Sequence, residues 1–247
     1  MSDLHAVILA GGKGTRLRPF TITLPKPLVP VGEESSILEI VIRQLAGQGF
    51  GSATLAIGHF GELIEAYVGD GSQWGMRVDY AREEEPLGTM GPVVQAADRL
   101  PEHFLVLNGD TLTDLDYADL VRTHAASGAP VTVATARRET RIEFGVLDVE
   151  DGRVVGFREK PAIPYVVAIG AYAVSRATLQ RYAPGTPLGF DQLMRDLIEH
   201  GEHPASYDVA GLWLDIGRPD EYDQVNMEWP MLKERLLPDQ PRAARDR

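Results

Sequence analysis

A short apolar run, Ala6-Val7-Ile8-Leu9, opens directly into Ala10-Gly11-Gly12-Lys13-Gly14-Thr15-Arg16-Leu17-Arg18-Pro19. A strand that ends in a run of glycines leaves several backbone N–H groups free to converge on one point. The missing Cβ atoms also let a bulky ligand approach closely. Arg16 adds a permanent cation whose planar fork suits phosphate oxygens. Further on, Leu24-Pro25-Lys26-Pro27-Leu28-Val29-Pro30 holds a lysine between prolines. The unit reads as a polyphosphate cradle with two cations aimed into it. It is not a Walker A loop, because the spacing of glycine, four residues and Gly-Lys-Ser/Thr is missing. Nor is it the dinucleotide fingerprint, since Leu17 stands where the third glycine belongs. Taken alone, the glycines also fit a plain strand-to-loop turn; Thr15-Arg16-Leu17 and Pro25-Lys26-Pro27 favour the functional reading.

The 247 residues suffice for one large α/β domain or two small ones. Strands are expected at His5–Ala10, Ala53–Ile57, Met76–Ala81, Phe104–Leu107, Val131–Ala136, Gly145–Val149, Val154–Glu159, Val166–Ala173 and Ala205–Tyr207. Helical spacing appears in Ile37, Ile40, Val41 and Leu45, in Phe60, Leu63, Ile64 and Tyr67, in Met90, Val93, Val94 and Ala97, and in Phe190, Leu193, Met194, Leu197 and Ile198. Strands alternating with helices over the first half imply an α/β fold with a parallel-rich sheet covered on both faces. The second half, with tight turns such as Glu150-Asp151-Gly152, suggests an inserted strand-rich lobe. No internal repeat is visible. Residues 237–247, with Pro238 and Pro241, read as a loose tail.

Composition removes several function classes. A formal net charge of -12 argues against nucleic acid as the main partner, although a nucleotide fits if cations and a metal gather locally. Cysteine is absent, so disulfides, thiol nucleophiles and Cys metal sites are out. The start Met1-Ser2-Asp3-Leu4-His5 lacks a cationic region, and the apolar run after it is too short for a membrane span. A soluble, cytoplasmic protein with no membrane partner is the expectation. The six histidines show no zinc spacing, and no Gly-x-Ser-x-Gly elbow occurs. Trp74, Trp213 and Trp229 read as packing residues, and Gly69-Asp70-Gly71-Ser72 as a turn.

Some side chains stand where chemistry would be done. Asp110 follows the apolar strand Phe104–Leu107, at the end where open α/β sheets bind ligands. Asp215 follows Leu212-Trp213-Leu214. Either also suits a turn or helix cap, the role expected for Asp114 and Asp116. Lys160, in Glu159-Lys160-Pro161, offers an ammonium beside a carboxylate able to accept hydrogen bonds from hydroxyls. An exposed ion pair is the alternative there. Gly145 and Gly170 allow backbone amides to face a ligand, or serve as bulge glycines. Glu83, five positions before Gly88, belongs to an acidic run of which at least two members suit a solvated loop.

The order of these blocks resembles the sugar-1-phosphate nucleotidylyltransferases. Leu9 to Pro19 and Pro25-Lys26-Pro27 carry the likeness, with Glu83-Glu84-Glu85-Pro86-Leu87-Gly88-Thr89-Met90-Gly91-Pro92, Leu107-Asn108-Gly109-Asp110 and Phe144-Gly145-Val146. Phe157-Arg158-Glu159-Lys160-Pro161 and Trp213-Leu214-Asp215-Ile216-Gly217 complete it, from about Ala6 to Glu228. The chain is most similar to the mannose-1-phosphate guanylyltransferase branch. That resemblance implies a Rossmann-like, mostly parallel mixed sheet flanked by helices, without the C-terminal β-helix of some relatives. It implies a catalytic domain over 1–236, with a nucleotide part over about 1–115 and a sugar-phosphate part over about 116–228.

It further implies that a nucleoside triphosphate, GTP first, and a sugar 1-phosphate react with Mg²⁺ as cofactor. Arg16, Lys26 and Asp110 would be catalytic, and Asp110 and Asp215 the metal ligands. Leu9, Ala10, Gly11, Gly12, Gly14, Thr15, Arg16, Lys26, Glu83, Gly88, Thr89, Asn108 and Gly109 would bind the nucleotide. Gly145, Glu159, Lys160, Gly170 and Asp215 would bind the sugar phosphate. A carboxylate such as Glu83 can accept both donors of a guanine edge. One departure stands out. Where the mannose branch has asparagine ahead of Ala-Gly, this chain reads Val167-Ala168-Ile169-Gly170, and Ala168 has no polar group for a sugar hydroxyl. Mannose, a heptose, another modified sugar or a cyclitol phosphate therefore stay open. So do a uridylyl- or thymidylyltransferase acting on a hexose 1-phosphate, a non-catalytic nucleotide-sugar-binding subunit, and a homo-oligomer.

Overall fold

The computed structural model describes residues 4–237. The first half runs β1 (Leu4–Leu9), β2 (Pro30–Val31), β3 (Ser35–Ser36), α1 (Ile37–Gly47), β4 (Phe50–Ile57), α2 (Gly61–Val68), β5 (Arg77–Arg82), α3 (Gly91–Ala96), β6 (His103–Asn108), β7 (Thr111–Thr113) and α4 (Tyr117–Ser127). The second half follows with β8 (Val131–Arg141), β9 (Val146–Glu150), β10 (Arg153–Arg158), β11 (Ala162–Ser175), α5 (Arg176–Leu179), α6 (Phe190–Glu199), β12 (Ala205–Asp208), β13 (Trp213–Asp215) and α7 (Pro219–Leu236). Seven strands form one sheet in the order β12-β8-β11-β6-β1-β4-β5. β1 lies parallel to β4 and β6, β4 to β5, and β8 to β12, while β11 runs antiparallel to both neighbours. The sheet is mixed and mostly parallel, as expected, and no C-terminal β-helix occurs among the described residues.

Strand β1 shows why the sheet is covered on both sides. Ala6 and Ile8 enter a core with α1, α2, α4 and α7, whereas Val7 faces a second core with α3, α5 and α6. Alternate side chains of a strand point to opposite faces, and here both faces are apolar and fully buried. Helix α1 starts where the Ser36 side chain accepts from the Glu39 amide at 3.1 Å, and Ile37, Ile40, Val41 and Leu45 supply its buried stripe.

All nine expected strands are present. Several run past the expected bounds, β4 by starting at Phe50, and the two largest overruns have one reason. Beyond Ala136 and before Val167, β8 and β11 leave the sheet and pair only with each other, from Arg137↔Val166 to Arg141↔Ala162. That ribbon is exposed on both faces, so it lacks the in–out alternation that marks a half-buried strand. Helices α4 and α7 were not expected. The residue that starts α4 was: Asp116 accepts from the Asp119 amide at 2.7 Å. Strands β9 and β10 form a hairpin whose turn residues, Asp151 and Gly152, both have positive φ. The only extensive packing partner of each is the other. The tail expected at 237–247 lies, beyond Leu237, outside the described residues.

Candidate active site

The chain goes from β1 to β4 on one side, then crosses back to place β6 on the other. A crevice forms at such a switch point, outside the carboxyl ends of the strands. The glycine-rich loop leaves β1 there, and Asn108-Gly109-Asp110 leaves β6 beside it. The Gly109 amide donates to the Leu9 carbonyl at 2.9 Å, and a Cβ on Gly109 would meet that same oxygen at 2.9 Å. Only glycine lets the two loops lie this close.

The crevice encloses about 890 Å³. Its walls include Leu9 to Arg16, Lys26, Glu83, Gly88, Thr89, Asn108, Gly109 and Asp110. Every residue expected to touch the nucleotide thus lines one cavity. Gly58 and His59, which follow β4, and Gly217, which follows β13, line it too. The strand-end rule applied to β4 would have found the first two.

The charged groups at the centre are held, not free. Lys26 is buried, and its Nζ donates to Asp110 Oδ2 at 2.5 Å. The short pair β7–β13 sets Asp215 opposite Thr111, one residue beyond Asp110. Burial pushes the Asp215 carboxyl above its usual range, and the Asp110 charge pushes it further. Lys26 opposes that rise, Glu221 adds to it, and Arg16 opposes it. Gly217 closes the cluster: a Cβ there would stand 3.6 Å from both Arg16 Nη1 and Asp215 Oδ1.

A carboxyl whose proton affinity is raised by burial and by a neighbouring carboxylate, that neighbour already capped by an ammonium, forms a place where a cation is wanted. Among the described residues no cluster of three or more His, Asp or Glu forms a complete metal cage. A pair of carboxylates suits Mg²⁺, which keeps water and takes substrate phosphates as its other ligands. Asp110 and Asp215 fit that ion.

Glu83 stands across the crevice. Its Oε1 accepts from the Leu87 amide at 3.0 Å, and Oε2 lies beside Gly11, where a Cβ would come within 2.5 Å of it. Burial raises its pKa, and the Leu87 bond partly restrains the rise. One oxygen is thus partly committed to the protein, leaving Oε2 and the second lone pair of Oε1 for a ligand. The loop behind it is fixed from far away. The Leu188 carbonyl accepts from Met90 at 2.9 Å and Gly91 at 3.2 Å, and the Leu188 amide donates to Leu87 at 2.8 Å.

The residues expected at the sugar phosphate divide into two groups. Gly170, at φ +81°, sits at the register slip of β11, and a side chain there would run into Asn108 Nδ2 at 2.6 Å. It touches the crevice wall. Gly145 and Glu159 lie together in the exposed hairpin lobe, where a Cβ on Gly145 would meet the Phe157 ring at 2.7 Å and Glu159 Oε2 at 3.5 Å. Lys160 follows with φ +43°. These three, and Gly170 and Asp215 themselves, are outside the crevice lining. Trp213 packs partly against the core, and Arg138 stacks over its ring at 4.8 Å. Asp114 serves structure, accepting from the Leu212 amide at 2.7 Å and from Arg235 at 2.6 Å.

A family model described as nucleotidyl transferase matches residues 5–230. A mannose-1-phosphate guanyltransferase of Schizosaccharomyces pombe is 33% identical over 228 residues, 89% of this chain and 62% of that protein. A mannose-1-phosphate guanylyltransferase of Mycobacterium tuberculosis is 34% identical over 226 residues, covering 89% and 63%. The chain therefore spans under two thirds of the length of these curated relatives. Among solved structures, HddC from Yersinia pseudotuberculosis superposes with a TM-score of 0.71 at 24% identity, over 92% of this chain and 99% of that one. The same protein complexed with GMP-PN gives 0.72 over the same shares. That likeness speaks for the fold, and no helix among the described residues is long and apolar enough to cross a membrane. With the model spanning nearly all of the strands that build the crevice, the chain belongs to the nucleotidyl transferase family.

Proposed function

We propose that this chain transfers a nucleotidyl group from a nucleoside triphosphate, GTP before others, to a sugar 1-phosphate. A phosphate oxygen of the sugar attacks the α-phosphorus, the bond to the β-phosphate oxygen breaks, and pyrophosphate leaves. The observation that carries this reading is the Lys26–Asp110 pair, its lysine buried, set between the glycine-rich loop and Asp215. In-line displacement among anions needs charge neutralised and three atoms held in a row.

Backbone amides of the glycine-rich loop and the Arg16 fork hold the triphosphate. Lys26, released from Asp110, faces the α-phosphate. Asp110 and Asp215 hold Mg²⁺, which when bound supplies charge neutralisation at the phosphates. Asn108 and Gly170 bound the sugar side, and Gly145, Glu159 and Lys160 reach the sugar phosphate from the hairpin lobe. Glu83 accepts from the base. Guanine is favoured by the names of the relatives and by the GMP-PN complex of HddC. Ala168 leaves the sugar as mannose, a heptose or a related modified sugar. A cytoplasmic location accompanies the reading, since free nucleoside triphosphates are the substrates.

The test is to incubate the protein with each nucleoside triphosphate, a panel of sugar 1-phosphates and Mg²⁺, following pyrophosphate release. Release with GTP and one sugar phosphate supports the reading. Release only with UTP or dTTP changes the base, and no release with any pair turns the protein into a nucleotide-sugar-binding subunit.

A further inference from the structure

The strand order β6-β1-β4-β5 lays the loops of the crevice side by side. Asp110 follows β6 at one end, the glycine-rich loop follows β1, and Glu83 follows β5 at the other end. Between the last two, β4 runs into the turn Gly58-His59-Phe60-Gly61, closed where the Gly61 amide donates to the Gly58 carbonyl at 3.0 Å. Gly58 keeps that gap narrow: a Cβ on it would stand 3.2 Å from the Gly11 carbonyl oxygen and 3.6 Å from Glu83 Oε2. His59 comes next and lines the crevice, exposed, with its ring centroid 4.0 Å from that of Phe60. Phe60 holds its place with φ +58°, in the left-handed region that a bulky side chain rarely adopts. Such strain persists where the surroundings over-determine it, and it gathers at ligand sites. His5, His103, His124 and His200 each bond a ring nitrogen within the protein. Among the described residues, neither ring nitrogen of His59 has such a partner.

We infer that His59 is a second base-reading residue, whose ring N–H donates to N7 of the nucleotide's purine. This rests on the proposed use of GTP. A carboxylate can only accept, so Glu83 serves the two donors of the guanine edge and leaves the acceptors O6 and N7 unserved. A donor is needed between that edge and the triphosphate. His59 stands in that interval, between Glu83 and the loop at Gly11. Its amide already donates to the Gly11 carbonyl at 3.4 Å, so the ring is what it offers a ligand. Imidazole suits the role because it carries an N–H in either protonation state. Lys26 does not compete for it, being bound to Asp110 on the far side of β1. Adenine presents the same N7, and uracil and thymine have none. His59 thus selects purine over pyrimidine, and Glu83 selects guanine over adenine.

Titration calorimetry of the whole chain with Mg²⁺ and no sugar phosphate reads binding without turnover. The parent should bind GTP about three- to tenfold more tightly than 7-deaza-GTP, in which a C–H group replaces N7; that factor is the worth of one neutral hydrogen bond. His59→Phe keeps a ring against Phe60 but has no donor. It should bind both nucleotides alike, at the parent's affinity for 7-deaza-GTP. His59→Gln restores an N–H donor and should recover part of the preference; His59→Ala gives the donor-free comparison if the phenylalanine variant folds poorly. A parent that binds GTP and 7-deaza-GTP equally overturns the inference. So does a His59→Phe variant that keeps the parent's preference, or one that weakens both nucleotides by the same factor, since the ring then packs without donating. A parent with the N7 preference that releases no pyrophosphate with any sugar 1-phosphate removes the proposed transfer and leaves the role of His59 standing. A parent that binds UTP and not GTP removes both.

Discussion

The two ends of the candidate site are built in opposite ways. On the proposed triphosphate side every loop is anchored by backbone bonds: Ala10 to Ala56 at 2.8 Å, Gly109 to Leu9 at 2.9 Å, and Glu83 to Ile57 at 2.9 Å. The central strands beneath are buried on both faces. On the proposed sugar side, β9 and β10 hold mainly each other, and their apolar face lies open. Catalytic electrostatics depends on donors that do not have to move when charge develops. A hairpin with few attachments can change its side chains without disturbing the sheet, as binding loops on rigid scaffolds do. The anchored end suits chemistry shared by every substrate pair, and the open end suits the choice of sugar.

The largest test of this contrast lies on the anchored side. Arg16→Ala and Asp110→Asn should each lower turnover about 10²- to 10³-fold, the usual cost of one lost electrostatic contact to the reacting group. Arg16 is exposed, so its variant should melt like the parent protein. Near-normal pyrophosphate release from either variant would remove the proposed roles.

Next in size is the base. Glu83→Gln can accept at only one end of its side chain, and a polar group left unmatched in a partly buried site costs about 1–3 kcal/mol. GTP efficiency should drop about 5- to 150-fold, with UTP affected less. An unchanged GTP-to-UTP ratio takes Glu83 out of the base pocket.

The contrast sharpens further between two lysines. Lys26→Ala should raise KM for the triphosphate by about tenfold or more, because its ammonium is buried. Lys160→Ala should raise KM for the sugar phosphate only a few-fold, since solvent screens an exposed charge. If steady-state kinetics returns the two effects exchanged, the subsites are reversed.

The smallest effect is one of stability, far from the crevice. His124 is fully buried, bonded to Thr132 at 2.9 Å and Ser175 at 3.0 Å. Burial first, then the neighbouring His103, holds its pKa down at about 4, against 6.5 for a free side chain. Between those values the unfolded chain binds the proton and the folded one does not. Stability therefore rises with pH through that window and is lost as pH falls, by up to about 1.4 kcal/mol per pH unit. Denaturant melts of His124→Gln should show a shallower slope between pH 6.5 and 4; a slope equal to the parent's removes His124 as its source.

How much of this was legible beforehand follows from burial. β1 and β6 are covered on both faces, so they read as unbroken apolar runs, and the glycines after β1 announce their loop. The Asp116 cap was legible because its side chain acts on its own backbone neighbourhood. Helix α4 was not, because Ala, Arg, Thr and His dilute its stripe. Helix α7 was hidden by Pro230, which sits on its exposed side. Asp110 and Asp215 are 105 positions apart and meet through two strands of three residues each, too short to leave a period. The Leu188 bonds to Leu87, Met90 and Gly91 and the open β9–β10 face are tertiary facts that no local pattern encodes.

The stitching of the crevice to distant residues also sets a schedule for its assembly. A chain emerging from the ribosome presents its glycine-rich loop before any of the segments that complete the crevice. The loop carrying Gly88 is held at its Glu83 end by Ile57, but its far end has no anchor until Leu188 arrives, and Asp110 has no companion carboxylate until β13 has paired with β7. Closing such long loops is slow relative to local structure. The most recognisable segment of the sequence is therefore made first and becomes competent last. A nascent or truncated chain ending before residue 213 would display the glycine-rich loop without the groups that complete the crevice.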